Sequence, residues 1–239
     1  MEEKFENIGV VESVINLSPS VKHYTVSVND KADFDFEPGQ FVIISFPGIQ
    51  HQFPYRSYSI ASAPMTNHFD LCVVLKEDGA ASPILFEKAV GDSIRFSAPQ
   101  GKFVLPDETA GKTFCFICTG TGVAPFRAMI QHLISKQLPF EKIILIFGGR
   151  KQEDLLYREE FESLAKTDAR FEYYPVLSRE YWDGYQGYVH QIYLNKPAYT
   201  GQANMLFYIC GWSEMVREAK NNLKEMGYSR KEIKFELFD

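Results

Sequence analysis

Residues 118–127 read Cys-Thr-Gly-Thr-Gly-Val-Ala-Pro-Phe-Arg and stand between two segments of different character. Before them, residues 113–118 form a continuous apolar run, which is typical of a strand buried on both faces of a sheet. After them, apolar residues recur at i, i+3, i+4, i+7 and i+8 from Phe126, which is the spacing of one helix face. Gly120 and Gly122 permit a tight turn with an accessible backbone. The stretch therefore predicts a strand, a glycine-containing turn and a helix.

A turn of this kind can bind phosphate. The start of a helix offers backbone N–H groups and the positive end of the helix dipole. Pro125 suits the first helical turn, because the N–H that it lacks would be unpaired there anyway. Dinucleotides usually bind after the first strand of such a sheet. A turn shaped only by packing is the alternative, and the context favours a dinucleotide site.

Strand and helix alternate through the rest of the second half, which predicts a Rossmann-like parallel sheet with flanking helices. Ser213 is the expected N-cap of the last helix and Gly227 its expected C-cap. The expected strands cover residues 113–118, 142–147, 171–177, 205–209 and 233–238, and the expected helices cover residues 126–134, 154–166 and 213–226.

Further loops follow the expected strands of the same sheet. Gly148-Gly149-Arg150 and Cys210-Gly211-Trp212 are predicted to lie beside the glycine turn, because ligands bind outside the carboxyl ends of such strands. Arg150 and Arg179 have the paired N–H donors that hold a phosphate. Taken singly, each is better explained as a solvated surface arginine.

The first half is all-β by its pattern. Short apolar runs separated by turn residues predict an antiparallel barrel or sandwich, with one short helix at residues 83–89. Pro106, Asp107 and Gly111 interrupt the pattern and mark a boundary. The chain is therefore expected to form two domains, residues 1–105 and residues 106–239.

The segment Arg56-Ser57-Tyr58-Ser59 is more polar than a core strand requires. Such side chains can hold a phosphate, stack on a flat ring and hydrogen-bond its edge. Gly79-Ala80-Ala81-Ser82 then precedes the short helix, which makes a second potential phosphate site. Each feature alone is explained by ordinary strand, turn or cap structure. Their combination is what makes the pattern specific for ligand binding.

Nearly the whole chain resembles the ferredoxin–NADP(+) reductase family. The resemblance rests on five motifs in the family's order: R-x-Y-S, G-x-x-S, G-T-G-V-A-P, C-G and a terminal E-x-F. The resemblance implies an N-terminal FAD-binding antiparallel β-barrel and a C-terminal NAD(P)-binding α/β domain. It implies hydride transfer from NAD(P)H to FAD and then electron transfer to a ferredoxin, flavodoxin or oxygenase-type protein.

The resemblance also assigns residues. Ser59, Cys210 and Glu236 are the implied catalytic residues, near flavin N5, facing nicotinamide C4 and beside the hydride-transfer site. Phe238 matches the aromatic residue that shields the flavin, although the family often ends there in Tyr and this chain continues to Asp239. The implied FAD-binding residues are Arg56, Ser57, Tyr58, Ser59, Val73, Val74, Ala80, Ala81 and Ser82. The implied NAD(P)-binding residues are Thr121, Gly122, Arg150, Ser178, Arg179, Tyr188, Cys210 and Gly211.

The choice between NADPH and NADH rests on few positions. Arg150 and the Ser178-Arg179-Glu180 segment resemble the pattern that holds a 2′-phosphate, which favours NADPH. Gln186 stands where plant-type members place a second basic residue, and Asp154 lies near where a carboxylate takes a ribose hydroxyl, which favours NADH. The balance favours NADP over NAD.

Composition excludes several other classes. The 25 basic and 31 acidic residues give a net charge of −6, which argues against a broad nucleic-acid surface. No apolar run is long enough to insert in a membrane, no signal peptide is evident, and four cysteines are too few for a disulfide scaffold, so a cytoplasmic location is expected. Cys115 and Cys118 should face opposite sides of their strand, so no metal site is expected.

Two alternatives to a protein-directed reductase are compatible with the sequence. One is a reductase of free flavin or of another small acceptor. The other is a non-catalytic nucleotide-binding module, which the filled positions Ser59, Cys210 and Glu236 disfavour.

Overall fold

The computed structural model describes residues 5, 7–28, 34–46, 55–65, 67–196 and 203–238. Cα proximity divides the chain into two compact units. The first unit takes in the described residues up to Leu105 together with Ala124–Ile134, and the second takes in Pro106–Val123 and the described residues from Ser135 onward. The domains 1–105 and 106–239 stay a prediction.

The first unit contains a six-stranded antiparallel sheet with strand order β4-β3-β6-β1-β2-β5. A bridge between Ile60 and Leu71, and a 2.8 Å bond from Ala61 N–H to the Asp70 carbonyl, join the residues after β4 to β5 and close the sheet. The expected antiparallel barrel is therefore confirmed. Its strands are β1 (Asn7–Ser18), β2 (Val21–Val28), β3 (Phe41–Ser45), β4 (Tyr55–Ser59), β5 (His68–Val74) and β6 (Ser93–Phe96).

Aromatic rings fill the barrel. The ring centroid of Phe69 lies 5.1 Å from that of Phe34 and 4.9 Å from that of Phe96, and the Phe69 side chain is fully buried. These large rings each remove a large apolar area from water, and they pack among the aliphatic side chains of the same core.

The short helix α1 (Ser82–Phe86) ends three residues before the predicted limit at Ala89. Its last carbonyls are taken by side chains from β2: Tyr24 Oη donates to Leu85 O at 2.9 Å, and Lys22 Nζ donates to Phe86 O at 2.6 Å. These side-chain donors bind carbonyls at the end of the helix, and Lys88 N–H also donates to Leu85 O at 3.1 Å.

The second unit contains a parallel sheet with strand order β10-β9-β8-β7-β11-β12. The central strand β7 has Phe114–Cys118 fully buried, as its apolar run predicts. Its strands are β7 (Thr113–Thr119), β8 (Lys142–Gly149), β9 (Phe171–Leu177), β10 (Tyr185–Gln186), β11 (Met205–Gly211) and β12 (Ile233–Leu237). The helices that alternate with them along the chain are α2 (Ala124–Ser135), α3 (Arg158–Thr167), α4 (His190–Leu194) and α5 (Ser213–Glu225).

The start of the helix expected from Asp154 and the N-cap of the last helix differ from the sequence prediction. The helix expected from Asp154 is a 3₁₀ turn at Gln152–Asp154 followed by α3, because Tyr157 has a left-handed φ of 58° that interrupts the helical path. Trp212, and not Ser213, is the N-cap of α5, and no side chain caps this end. The C-cap of α5 is Met226 and not Gly227, which follows it with a φ of 95°.

Two small elements were not predicted, β10 and α4. Each is too short for hydrophobic periodicity to reveal it. Among the described residues, none of the helices combines the length and apolar composition that crossing a membrane requires.

We expect Phe69→Ala to lower the free energy of unfolding by about 3–5 kcal/mol, because it removes a fully buried ring and leaves a cavity. Urea denaturation followed by circular dichroism measures the change. Ile15→Ala, at a side chain 53% exposed, is the control and should change the value by less than about 0.5 kcal/mol. An equal effect of both substitutions would contradict this view of the core.

Candidate functional site

The turn after β7 is a 3₁₀ turn at Gly120–Val123 that leads into α2. Gly120 has a φ of 54°, and a Cβ atom added there would meet nothing within 4 Å. The backbone face at Gly120 is therefore open to a ligand, and a side chain would fill that space.

Gly122 has a different reason to be glycine. A Cβ atom at Gly122 would lie 2.4 Å from the carbonyl oxygen of Cys210. Gly211, at the end of β11, lies equally close to the end of β7. A Cβ at Gly211, whose φ is 140°, would lie 2.4 Å from Thr119 Oγ1. The turn after β7 and the end of β11 are thus packed backbone against backbone.

Cys210 and Glu236 are directly paired residues on the adjacent strands β11 and β12. Phe238 continues from β12, and its N–H donates to the Gly211 carbonyl at 3.0 Å. The parallel ladders thereby bring three predicted site residues to one edge of the sheet, next to the Gly120–Val123 turn.

Burial changes the acid–base properties of this pair. It raises the pKa of Glu236 to about 7, so near neutral pH the carboxyl group both donates and accepts a proton. Burial, with the nearby Glu236 carboxylate, raises the pKa of the Cys210 thiol well above its usual range. Cys210 therefore stays a neutral thiol, which fits shaping of a pocket and not nucleophilic attack.

The ends of β8 and β9 are joined through their backbones. Ser178 N–H donates to Gly149 O, and Arg179 N–H donates to Arg150 O, both at 3.0 Å. Both arginine side chains are exposed. A surface pocket of about 390 Å³ lies here. It is lined by Lys151, Gln152, Glu153, Arg179 and Glu180.

Two acidic residues organise this pocket. Asp154 Oδ2 accepts the N–H groups of Arg150 and Lys151 at 2.9 Å each, so this oxygen caps the turn, and the ribose contact that the sequence suggested stays a prediction. The Glu180 carboxylate accepts both the backbone N–H and the side-chain amide of Gln152, at 2.8 and 3.0 Å. These bonds hold the pKa of Glu180 below its usual range. Sequence reasoning missed this role of Gln152, and its spacing gives no signal for it.

Tyr188 presents a flat aromatic face close to the ends of β9 and β10. Its side chain is 63% exposed, and its ring stacks on that of His190 with centroids 5.8 Å apart. This is a platform on which an adenine ring can stack.

In the first unit, the predicted flavin-binding strand is β4. Arg56 and Ser57 are exposed, Tyr58 is half-buried against the barrel core, and Ser59 is 6% exposed. Burial raises the pKa of Tyr58 to about 12, so it remains a neutral phenol. The strand thus offers a guanidinium, hydroxyls and an aromatic ring.

The residues at the end of β5 and the start of α1 complete this surface. Val73 is buried and Val74 half-buried, while Ala80 is exposed just before the helix. Ser82 Oγ accepts the N–H of Lys76 at 2.9 Å and donates to its carbonyl at 3.1 Å. The Ser82 hydroxyl is therefore used inside the turn, and a phosphate here would be bound through the backbone of residues 80–82.

These two sets of residues fit FAD and a nicotinamide dinucleotide, the cofactors that the family resemblance implies. The guanidinium, phenol and α1 turn of the first unit match the charge and flatness of FAD. The open backbone at Gly120, the arginines and the Tyr188 ring of the second unit match a nicotinamide dinucleotide. Within the described ranges, no cluster of three or more His, Cys, Asp or Glu residues is placed to hold a metal ion.

Comparison with known proteins gives the same two parts. A family described as an oxidoreductase FAD-binding domain matches residues 9–105, and an oxidoreductase NAD-binding domain matches residues 116–221. The chain is 35% identical over 233 residues to ferredoxin–NADP reductase B of Sorangium cellulosum, covering 93% of each protein.

Two further similarities extend this comparison. The reductase component DmpP of a phenol 2-monooxygenase from a Pseudomonas species is 31% identical, and the match covers 96% of this chain and 65% of DmpP. A ferredoxin NADP⁺ reductase from Neisseria gonorrhoeae, solved with bound FAD and NADP, superposes with a TM-score of 0.82 at 25% identity and 98% coverage of each chain.

We expect Glu236→Gln to change how stability depends on pH. A carboxyl whose pKa is raised on folding leaves the free energy of unfolding unchanged below about pH 4.5. Above that pH it lowers the free energy of unfolding, by a cost that grows until about pH 7 and is constant beyond it. The variant lacks this cost, so its stability relative to the unsubstituted protein should rise with pH through that window. Urea denaturation across the window measures the difference.

The matched control is Glu141→Gln, at an exposed carboxylate outside any helix, just before β8. It should run parallel to the unsubstituted protein at every pH. A pH-independent difference between Glu236→Gln and that protein would contradict the raised pKa.

Proposed function

This chain belongs to the ferredoxin–NADP(+) reductase family, and we propose that it passes electrons from NAD(P)H to a ferredoxin, flavodoxin or oxygenase-type protein. It is a FAD-dependent oxidoreductase. The observation that carries the proposal is the pairing of Cys210 with Glu236 beside the Gly120–Val123 turn. The relatives named above, a ferredoxin–NADP reductase and an oxygenase reductase component, support a protein acceptor.

FAD, when bound, accepts hydride from NAD(P)H and releases the electrons to an acceptor. In this proposal Arg56 binds the FAD diphosphate, Tyr58 packs on the flavin ring and Ser59 hydrogen-bonds its edge. Ser57, Val73, Val74 and the backbone of residues 80–82 line the same cofactor. Phe238 matches the aromatic residue by which the family shields the flavin, and Asp239, which follows it, lies outside the described residues.

The second unit holds the nicotinamide dinucleotide. Thr121, Gly122 and Gly211 form its backbone cradle, Arg150 binds phosphate, and Tyr188 stacks on the adenine. Cys210 lines the nicotinamide pocket as a neutral thiol. Glu236 holds or releases a proton there, since its pKa lies at about 7.

NADPH is the proposed donor in preference to NADH. Lys151 and Arg179 line one pocket together with Glu153 and Glu180, and Lys151 Nζ lies 3.6 Å from the Glu153 carboxylate. The exposed Arg179 guanidinium is the group there that suits the 2′-phosphate that only NADPH carries. Ser178, half-buried at the same strand end, completes this set. Gln186 carries no charge to add to it, and its side-chain amide donates to Glu180 O at 3.3 Å.

The cytoplasm is the proposed location. All four cysteines of the chain are buried free thiols, which suits a reducing compartment.

We expect the purified protein to carry FAD and to be bleached by NADPH under anaerobic conditions. Cytochrome c reduction should then depend on added ferredoxin or flavodoxin. Reduction of free flavin without either protein, at the same rate, would favour a small-acceptor reductase. A colourless protein that takes up no FAD would contradict the function altogether.

We expect Arg179→Ala to weaken the binding of NADPH and to leave the binding of NADH nearly unchanged, because the side chain pairs with the 2′-phosphate. The loss of a charge-assisted bond, about 1.5–3 kcal/mol, corresponds to at least a tenfold rise in KM for NADPH. Steady-state kinetics with both donors measures it. Arg217→Ala, at an exposed position of α5, is the control. Equal losses with both donors would reject the NADPH preference.

A further inference from the structure

Two exposed side chains meet at the carboxyl edge of the parallel sheet. The guanidinium carbon of Arg150 lies 5.5 Å from the ring centroid of Trp212, whose side chain is 62% exposed. A cation over the face of a tryptophan ring is attracted to it. We call these two residues the Arg–Trp pair.

The sheet order shows what the Arg–Trp pair crosses. Arg150 follows β8 and Trp212 follows β11, and β7 lies between these strands. Two strand spacings separate their backbones by about 9.5 Å, so side chains that meet must reach across the end of β7. Trp212 N–H also donates to Thr119 Oγ1 at 3.3 Å, which fixes the tryptophan backbone to that same strand end. The pair therefore spans the start of the Gly120–Val123 turn.

Arg179 lies apart from this arrangement. It follows β9 and lines the 390 Å³ pocket together with Lys151, whereas Arg150 does not line that pocket. Asp154 binds the backbone N–H of both Arg150 and Lys151, which holds the turn between the two arginine positions. The two arginines therefore serve different parts of the sheet edge.

We propose that Trp212 is a positioning residue that holds Arg150 across the turn after β7, where Arg150 binds the diphosphate shared by NADH and NADPH. The inference rests on the proposed function, since it concerns the same dinucleotide. It separates Arg150 from Arg179, which the sequence pattern had grouped in one 2′-phosphate site. Of the two arginines, only Arg179 then serves the 2′-phosphate.

Equilibrium binding of NAD⁺ and NADP⁺ to the FAD-loaded protein, measured by calorimetry, tests this division. Arg150→Gln should raise the Kd of both dinucleotides by about tenfold or more, because both lose the same charge-assisted bond. Arg170→Gln is the matched control, because Arg170 lies over the ring of Phe140 before β9, at the amino edge of the sheet. It should change neither Kd.

The role of Trp212 is tested through its dependence on Arg150. Trp212→Leu should raise both Kd values about two- to fivefold, the worth of an exposed cation–π contact. The double variant with Arg150→Gln should bind no more weakly than Arg150→Gln alone, and Trp212→Phe should restore most of the loss. Additive losses would overturn the positioning role.

A spectroscopic measurement supplies an independent readout. Trp182 and Trp212 are the only tryptophans in the sequence, so Trp182→Phe leaves Trp212 as the single emitter. Its fluorescence should change when NAD⁺ or NADP⁺ binds, since both bring the diphosphate to Arg150. Unchanged emission at saturation would overturn the proposal.

Selective loss of NADP⁺ binding in Arg150→Gln would also overturn the proposal, and would leave the proposed function intact. An unsubstituted protein that binds neither dinucleotide would contradict the proposed function and this inference together.

Discussion

The close backbone contact between the turn after β7 and the end of β11 is the constraint on which the dinucleotide site depends. Neither Gly122 nor Gly211 has room for a Cβ atom, because each would strike backbone or a hydroxyl of the other loop. This contact brings Cys210 beside the Gly120–Val123 turn, and the β11–β12 ladder then places Glu236 next to Cys210. A side chain at either glycine would separate the backbone proposed to bind phosphate from the groups proposed to act on the nicotinamide.

Burial determines the chemical state of the groups gathered there. Desolvation favours neutral forms, so Cys210 remains a thiol, while the Glu236 pKa rises into the physiological range. The charged groups lie at exposed positions of the same sheet edge, at Arg150 and Arg179, where they remain solvated until an anion binds. The second unit therefore separates the neutral groups proposed to face the nicotinamide from the cationic positions proposed to bind phosphate.

The last residue of the opening motif has a role that its sequence position does not suggest. Arg127 follows the glycine turn closely, as a phosphate ligand might, yet its guanidinium lies against the barrel of the first unit. Its Nη1 donates to Asp70 Oδ2 at 3.0 Å and to the Ala61 carbonyl at 2.7 Å. Thr25 donates to the other oxygen of Asp70 at 3.0 Å. Arg127 therefore anchors α2, and the nearly buried Asp70 is satisfied by these donors.

The sequence alone predicted the alternation of strand and helix in the second half and an antiparallel barrel or sandwich in the first, because hydrophobic periodicity is a local property. The order of five short motifs supplied the resemblance to the family. The sequence also placed Cys210 and Glu236 at strand ends in one sheet. It did not reveal that Asp154 caps a turn, that Ser82 is used within its own loop, or that Arg150 meets Trp212. Those facts depend on side chains from segments that only the sheet order and strand register bring together. Hydrogen-bond partners and pKa shifts are decided by such neighbours and by burial, which the tertiary structure alone provides.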